Sequence, residues 1–527
     1  MYKILISGKI HELALRRLAA EPDFELIYKP DLPLSGLKEL IGPCHCIITR
    51  SETPVQRELI DCAPNLKVIA IAAVGTANVD IDYATEKGIL VMNTPGKNTN
   101  SAAELTMALL LSAVRKLQLA HQNMQRGAWD RHQFSGVELM GKTIGIIGLG
   151  NVGHRVAKFA LGFDMRVLAY DPYISDETFV RNRAEKTDLE TLVKNSDVIS
   201  VHTPKNKETS GMLGAREIAM MKKGFFILNA ARGGIINEPA LLEALKSGQV
   251  AAAGIDTWNE EPPKDNPFKD IPNVVMSPHI GASTEEAQRR IGETIAEQVP
   301  KALRGGVVDA PVNMPQIRMI EGNLMSSYVV LAEKLGSFAA QYMEFTPETL
   351  DCIYRGDIGK EDCTLLRLAF LKGYLTVNDL AYVSYVNAEQ RAASVGLSVR
   401  QIEDSNFTDY ESAAKFVFSG DDHEFEIGGV VFSGPHPRIT LVDGYVYEVE
   451  PSGTFLLVRC NNKLGVLSAI SQVLDNHGVL IKRIDFSHSQ KRKRTMFMFR
   501  IGRDVSDQVL AEIQGLEHTQ MVRRIII

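Results

Sequence analysis

TIGIIGLGNVG, residues 143–153, decides the reading of this chain, because it sets Gly148-x-Gly150-x-x-Gly153 directly behind a run of branched apolar residues. Ile144 to Ile147 read as a short buried strand. The glycines permit a tight turn and close approach of backbone to a pyrophosphate. A helix beginning near Val152 then turns its free N–H groups towards the phosphates. MRVLAYD reads as the next parallel strand and ends on Asp171, eighteen positions after Gly153. A carboxylate there accepts both ribose hydroxyls of NAD and repels the extra phosphate of NADP. Strand, glycine turn, helix and acid in this order point to a dinucleotide-binding unit that takes NAD.

On either side of that unit the pattern changes. YKILISG, GPCHCIITR and LKVIAIAAVG read as strands of a smaller α/β unit ending near Asn93-Thr94-Pro95. SAAELTMALLLSAVRKLQLAHQNM carries apolar residues at helical spacing for about six turns, long enough for a crossover. VISVH, FFILNA, AAAGID and VVMSPH continue the strand–helix alternation, and STEEAQRRIGETIAEQVPKAL is a second long helix returning the chain to the first unit. The expected architecture is α/β: a doubly wound parallel-sheet (Rossmann) cofactor domain, 98–289, inserted in a flavodoxin-like substrate domain made of 1–97 and 290–314. An α+β domain over 315–452 follows, with a two-residue hairpin at Asp443-Gly444. Residues 453–527 run strand, helix, strand, strand, helix, strand, the ferredoxin-like order of small ligand-binding modules.

Composition excludes several classes. A chain of 527 residues suggests about three or four domains. A formal charge of −6 gives no electrostatic footprint for nucleic acid. The basic run Lys491-Arg492-Lys493-Arg494 reads as an exposed turn between strands. The six cysteines lack zinc spacing, and Cys44-x-Cys46 finds no third or fourth ligand, so no metal is expected. With neither a signal segment nor an apolar run of membrane length, the expectation is a cytoplasmic protein without a membrane partner.

Hydride transfer to a bound nicotinamide asks the protein to hold a carboxylate, to take a hydroxyl proton and to orient the base that takes it. Arg232, after FFILNAA and before Gly233-Gly234, offers a planar fork for a carboxylate. His279, after VVMSP, offers an imidazole that titrates near working pH. Glu261, after AAAGIDTW, is placed to fix the tautomer of His279. Each residue also has a purely structural reading: a satisfied histidine after a strand, an arginine bonding loop carbonyls, an acid in a surface turn.

GLGNVG, HTP at 202–204, NAARGG at 229–234, GIDTWNEEPP and SPHIGAST together resemble the D-isomer-specific 2-hydroxyacid dehydrogenases over about 1–314. The resemblance implies catalysis by Arg232, Glu261 and His279. It implies a cofactor groove lined by Gly148, Gly150, Asn151, Val152, Gly153, Asp171, Pro172, His202, Thr203, Pro204, Ala230, Arg232, Asp256, His279 and Gly281, with Asp256 beside the nicotinamide amide. TRSETPV at 49–55, residues 72–105 and the stretch 437–478 are similar to the long-form branch of that family, which carries an intervening domain and a terminal ACT domain. That similarity implies oxidation of 3-phosphoglycerate to 3-phosphohydroxypyruvate, the opening step of serine synthesis, in a homo-oligomer (dimer or tetramer). Arg50, Ser51, Ala73, Val74, Gly75, Asn98 and Arg131 are the implied substrate positions, with Thr76 in the nearby loop. The alternatives are a dehydrogenase of D-glycerate, D-lactate or 2-hydroxyglutarate, and a regulatory protein that senses NAD.

Two positions depart from the long-form pattern. Ile71 stands where many members have an arginine. In the ACT segment the turn is Asn461-Asn462-Lys463-Leu464-Gly465, and Leu480 replaces the asparagine that commonly grips an effector serine. A leucine supplies no hydrogen bonds, so a bound serine would leave polar groups unpaired at a cost of roughly 1–3 kcal/mol each. Inhibition by L-serine is thus expected to be weak or absent, and the ACT unit is a candidate site for a small-molecule effector. Calorimetric titration of L-serine into the protein is expected to give no saturable heat; tight binding would overturn this.

Overall fold

The computed structural model describes residues 1–314, 324–378, 382–404, 410–432, 436–489 and 494–527. Lys491, Arg492 and Lys493 of the basic run lie outside the described residues. The chain forms two compact units, one of 1–9, 18–93 and 297–527, the other of 10–17 and 94–296.

The second unit holds the glycine motif. Its seven strands are β6 (Thr143–Ile147), β7 (Arg166–Tyr170), β8 (Glu185–Lys186), β9 (Val198–Val201), β10 (Phe225–Asn229), β11 (Val250–Ile255) and β12 (Val274–Met276). They lie in the order β12-β11-β10-β9-β6-β7-β8, every pair parallel. Strand order reverses between β6 and β9, the switch point beyond which doubly wound sheets bind ligands. β9 and β10 are buried at every position, as strands covered on both faces are. One apolar cluster packs helix Thr99–Arg115 and helix Gly153–Gly162 against the sheet; a second packs helix Glu238–Ser247.

The six-turn helix expected from residue 101 onward is two helices, Thr99–Arg115 and Leu117–Gln125. Lys116 between them is left-handed, with φ of 51°. The cause lies outside the helical pattern: the Val114 carbonyl accepts from the Val137 N–H at 2.9 Å, in place of the residue four positions on.

In the first unit, β1 (Tyr2–Ile6), β2 (Phe24–Tyr28), β3 (Cys46–Thr49), β4 (Val68–Ile71) and β5 (Leu90–Met92) form a parallel sheet in the order β2-β1-β3-β4-β5, the flavodoxin order. A distant segment completes its edge. Met92 bridges Pro311, and Asn313 accepts from the Val91 N–H at 2.9 Å while donating to the Ile89 carbonyl at 2.9 Å. Cys44 and Cys46 are buried and form no disulfide.

The same unit contains a six-stranded sheet of β13 (Thr349–Gly356), β14 (Ser398–Asp404), β15 (Ser412–Gly420), β16 (His423–Phe432), β17 (His436–Val442) and β18 (Tyr445–Val449). Its order is β14-β13-β15-β16-β17-β18, antiparallel except for β13 with β14. β17 and β18 are joined by Asp443-Gly444, both at positive φ (48° and 76°), the two-residue turn that the local sequence predicts. A four-stranded antiparallel sheet closes the chain, with β19 (Thr454–Asn461), β20 (Ile481–Ser489), β21 (Arg494–Ile501) and β22 (Thr519–Ile526) in the order β20-β21-β19-β22. The two helices fall where the ferredoxin-like pattern requires, at Val466–Asn476 and Asp507–Gln514.

These last two sheets share one apolar core. Helix Leu324–Tyr342 and helix Thr364–Asn378 bring residues such as Leu335 and Phe370 into a cluster with Phe416 of β15, Leu457 of β19, Met498 of β21 and Ile525 of β22. Gln341 fastens the helix to the last strand, donating to the Ile526 carbonyl at 3.0 Å and accepting from its N–H at 2.9 Å. At the centre Phe370 stacks on Phe416 with centroids 3.7 Å apart. Phe416→Ala is expected to cost about 3–5 kcal/mol, seen as a lowered midpoint in thermal unfolding.

Candidate active site

Six of the loops leaving the carboxyl ends of the seven-stranded sheet bear the candidate groups. Residues 148–153 follow β6, Asp171 and Pro172 follow β7, and His202, Thr203 and Pro204 follow β9. Ala230 and Arg232 follow β10, and Asp256 and Glu261 follow β11; His279 and Gly281 come after β12.

The glycine turn is shaped by its neighbours. Gly148 has φ of 90°, and a Cβ there would lie 2.8 Å from the Thr203 methyl. A Cβ on Gly153 would lie 2.0 Å from the Gly148 carbonyl oxygen, so the helix starts where only glycine fits. On Gly150 a Cβ would meet nothing within 4 Å. Open space at the middle glycine, in front of a helix N-terminus, suits a pyrophosphate. Thr203 Oγ1, buried beside it, has no hydrogen-bond partner among the described residues. The Asp171 carboxylate accepts from the Leu149 N–H at 2.9 Å and the Tyr173 N–H at 3.0 Å, which ties it to the glycine turn and leaves acceptor capacity for ribose hydroxyls. These residues fit a dinucleotide. His202 bonds Ser200 Oγ at 2.8 Å, and burial pushes its imidazole down to about 3, so it stays neutral.

Glu261 and His279, eighteen residues apart, meet: His279 Nδ1 lies 2.6 Å from Glu261 Oε2. The other Glu261 oxygen accepts from the Trp258 N–H at 3.0 Å. Burial pushes the Glu261 carboxyl up, but the hydrogen bonds from His279 and Trp258 and the charges of His279 and Arg232 outweigh it and hold the group below the ordinary glutamate value. The Glu261 hydrogen bond raises the imidazole above its ordinary 6.5, against the opposing effect of burial. With Nδ1 committed to the carboxylate, Nε2 is the nitrogen left to exchange a proton. Burial lowers the Arg232 guanidinium, offset in part by the charge of Glu261. Its turn is pinned by Asn229, which donates to the Arg232 carbonyl at 2.9 Å and accepts from the Ala231 N–H at 3.1 Å.

Asp256, which the resemblance sets beside the nicotinamide amide, is tied to the loop that follows β12. It is 0% exposed, and its oxygens accept from Ser277 Oγ at 2.6 Å, the Ile280 N–H at 2.8 Å and the Gly281 N–H at 3.0 Å. It is the anchor of the loop that carries His279, whose φ of 52° is rare outside glycine. Sequence spacing did not single out Trp258 or Ser277; the only signal for Trp258 was one of the chain's two tryptophans inside the run GIDTWNEEPP.

Of the other expected positions, Asn98 and Arg131 belong to this unit. Asn98 precedes helix Thr99–Arg115 without capping it through its side chain, and Arg131 is exposed at the start of a short 3₁₀ turn. Arg50, Ser51, Ala73, Val74, Gly75 and Thr76 belong to the first unit. Arg50 donates to the Lys9 carbonyl at 3.1 Å and pairs with Glu52 at 3.3 Å. Its loop is fixed by Asn78, which donates to the carbonyls of Arg50 and Thr53. The Val74 carbonyl accepts from Asn93 at 2.7 Å. Ile71 is fully buried in the apolar cluster of the five-stranded sheet. Among the described residues no group of three or more metal-ligating side chains forms.

A switch-point groove for a dinucleotide with an arginine and a glutamate–histidine pair at its edge defines an NAD-linked dehydrogenase. Residues 107–281 match the family described as D-isomer specific 2-hydroxyacid dehydrogenase, NAD binding domain, and residues 324–443 match the D-3-phosphoglycerate dehydrogenase intervening domain. Among solved structures, D-lactate dehydrogenase from Aquifex aeolicus, complexed with NAD and lactic acid, is similar with a TM-score of 0.53 and 28% identity, covering 59% of this chain and 100% of the other. NAD-dependent formate dehydrogenase from Staphylococcus aureus gives 0.52 and 30%, over 57% and 95%. Full-length relatives include the D-3-phosphoglycerate dehydrogenases of Methanocaldococcus jannaschii, 37% identical over 99% of both chains, and of Bacillus subtilis, 31% identical over 100% of this chain and 99% of that one. The chain belongs to the D-3-phosphoglycerate dehydrogenase family.

Glu261→Gln removes the group that raises His279. With His279 as the expected base, the neutral imidazole is the working form in oxidation, so oxidative activity is expected to fall as pH drops through its pKa and reductive activity as pH rises. The variant is expected to move the acid limb of oxidation to lower pH, measured from kcat/KM against pH; an unmoved limb would refute the pairing.

Proposed function

We propose that the chain oxidises the C2 hydroxyl of 3-phospho-D-glycerate, giving 3-phosphohydroxypyruvate, as the first step of L-serine biosynthesis. The observation that carries this reading is the Glu261–His279 pair on the loop system of Arg232, in a chain similar end to end to D-3-phosphoglycerate dehydrogenases. Bound NAD supplies the hydride acceptor. Held by Glu261, the imidazole of His279 takes the hydroxyl proton at Nε2, and the carboxylate stabilises the imidazolium that forms. Arg232 holds the C1 carboxylate in a two-point hydrogen-bonded fork. Gly148 to Gly153, Thr203 and Asp171 hold the cofactor, with Asp171 selecting NAD over NADP.

The phosphate end is assigned to Arg50 and Ser51, with Asn98 and Arg131 as further candidates. Ile71, sealed in the core, contributes no charge there. The reading carries with it a cytoplasmic homo-oligomer whose six cysteines stay reduced, in keeping with none of the six forming a disulfide. No described helix is long and apolar enough to cross a membrane. The closing sheet is read as an ACT module with a small-molecule effector, on its strand–helix order; Leu464 and Leu480 are exposed on it.

A substrate panel with NAD, followed by NADH absorbance, tests the reading. Turnover is expected on 3-phosphoglycerate well above that on D-glycerate or D-lactate; the reverse order would assign a different acid. Arg50→Ala is expected to raise KM for 3-phosphoglycerate roughly ten- to a hundredfold, as loss of a charged hydrogen bond does, and to leave D-glycerate little changed. His279→Ala is expected to abolish turnover while sparing NAD binding.

A further inference from the structure

Trp258 stands where the loops of Arg232, Glu261 and His279 meet, and it holds each through a different atom. Its backbone N–H donates to Glu261 Oε1 at 3.0 Å. Its indole Nε1–H donates to the Ser277 carbonyl at 3.1 Å, two residues before His279. Its own carbonyl lies so close to Gly233 that a Cβ there would sit 1.8 Å from the oxygen, so the chain beside Arg232 rests on the tryptophan backbone. The ring is 7% exposed, packed against Phe268 with centroids 6.3 Å apart, inside the apolar cluster of the sheet. A buried indole is held both by its face and by its one donor, so it moves little.

We propose that Trp258 is the positioning residue of this site: it sets the spacing of guanidinium, carboxylate and imidazole, and transmits a shift of any one loop to the other two. The inference rests on the dehydrogenase reading above. A catalytic group displaced by about 1 Å loses much of its effect, so a residue that touches no substrate acts on rate through geometry. The backbone contacts of Trp258 survive any substitution, which makes the indole N–H the separable part. Trp258→Phe keeps an aromatic ring against Phe268 and removes that donor, leaving the Ser277 carbonyl without it. The segment 277–279 then keeps its bonds to Ile255, Asp256 and Glu261 but loses its tie to the indole. The charged groups facing His279 are Glu261, Asp256 and Arg232. Loosening the segment weakens the Glu261 contact first, because that is a single hydrogen bond between side chains of two loops, whereas Asp256 holds the segment at Ser277 Oγ and at the N–H groups of His279, Ile280 and Gly281.

The test compares Trp258→Phe with the wild-type enzyme. Expected are a fall in kcat of roughly five- to tenfold, the equivalent of one hydrogen bond, an acid limb of oxidation shifted to lower pH, and an unchanged Kd for NAD. A second measurement needs no turnover. The chain has two tryptophans, and Trp129 is 76% exposed, so Trp129→Phe leaves emission from Trp258 alone. That emission is expected to titrate with the midpoint of the acid limb. Wild-type kcat with an unmoved limb in Trp258→Phe, or a loss confined to NAD affinity or thermal midpoint, overturns the proposal. So does a Trp258 emission that stays constant where activity changes, which decides the matter if Trp258→Phe fails to fold. Failure of the dehydrogenase reading is distinguishable, because the wild-type enzyme would then turn over none of the acids in the panel.

Discussion

A single buried carboxylate holds the chemistry of this protein in place. Asp256 has no access to water, and a polar group in that setting is tolerable only when it is hydrogen-bonded. It meets that condition by gathering Ser277 Oγ and two successive backbone N–H groups around itself, and the loop so gathered has His279 at its centre in a left-handed conformation. The strained backbone is sustained because three hydrogen bonds over-determine it. From that fixed point the order spreads outward: His279 to Glu261, Glu261 to the Trp258 amide, Trp258 to the turn beside Arg232.

Much of this was legible because it is local. The glycine spacing, the acid at Asp171 and the Asp443-Gly444 turn each occupy a few consecutive residues whose backbone demands follow directly from residue type. The pairing of Glu261 with His279 needed one further step, that parallel strands deliver their following loops to a common edge. What escaped is what depends on residues far apart in the chain. The break at Lys116 is caused by Val137, which no periodicity in the helix reveals. The importance of Trp258 lies in contacts with three separate loops, and a tryptophan at that place reads equally well as ordinary core. The hold of Asp256 on the loop of His279 escaped as well, because two of its partners are backbone N–H groups that carry no mark in the sequence.

The carboxyl-terminal half shows the same limit at larger scale. Alternating burial along β13 and β18 announces sheets with one apolar face, but an apolar face does not name what will cover it. Here helix Leu324–Tyr342 and the closing sheet contribute to one cluster, with Leu457, Met498 and Ile525 entering a core whose other walls come from the six-stranded sheet. Two patterns that read as separate modules are thus packed as neighbours without an aqueous seam through that core.

The completion of the first sheet by Pro311 and Asn313 has a consequence for how the chain is made. The Asn313 side chain reaches Val91 across 222 positions. During synthesis at roughly 5–20 residues per second, β5 emerges on the order of ten seconds or more before the segment that covers its edge. The seven-stranded sheet lies wholly within that interval and finds all its own strands there. The five-stranded sheet thus has all its strands, but not the cover of its β5 edge, for the whole time in which the seven-stranded sheet is made.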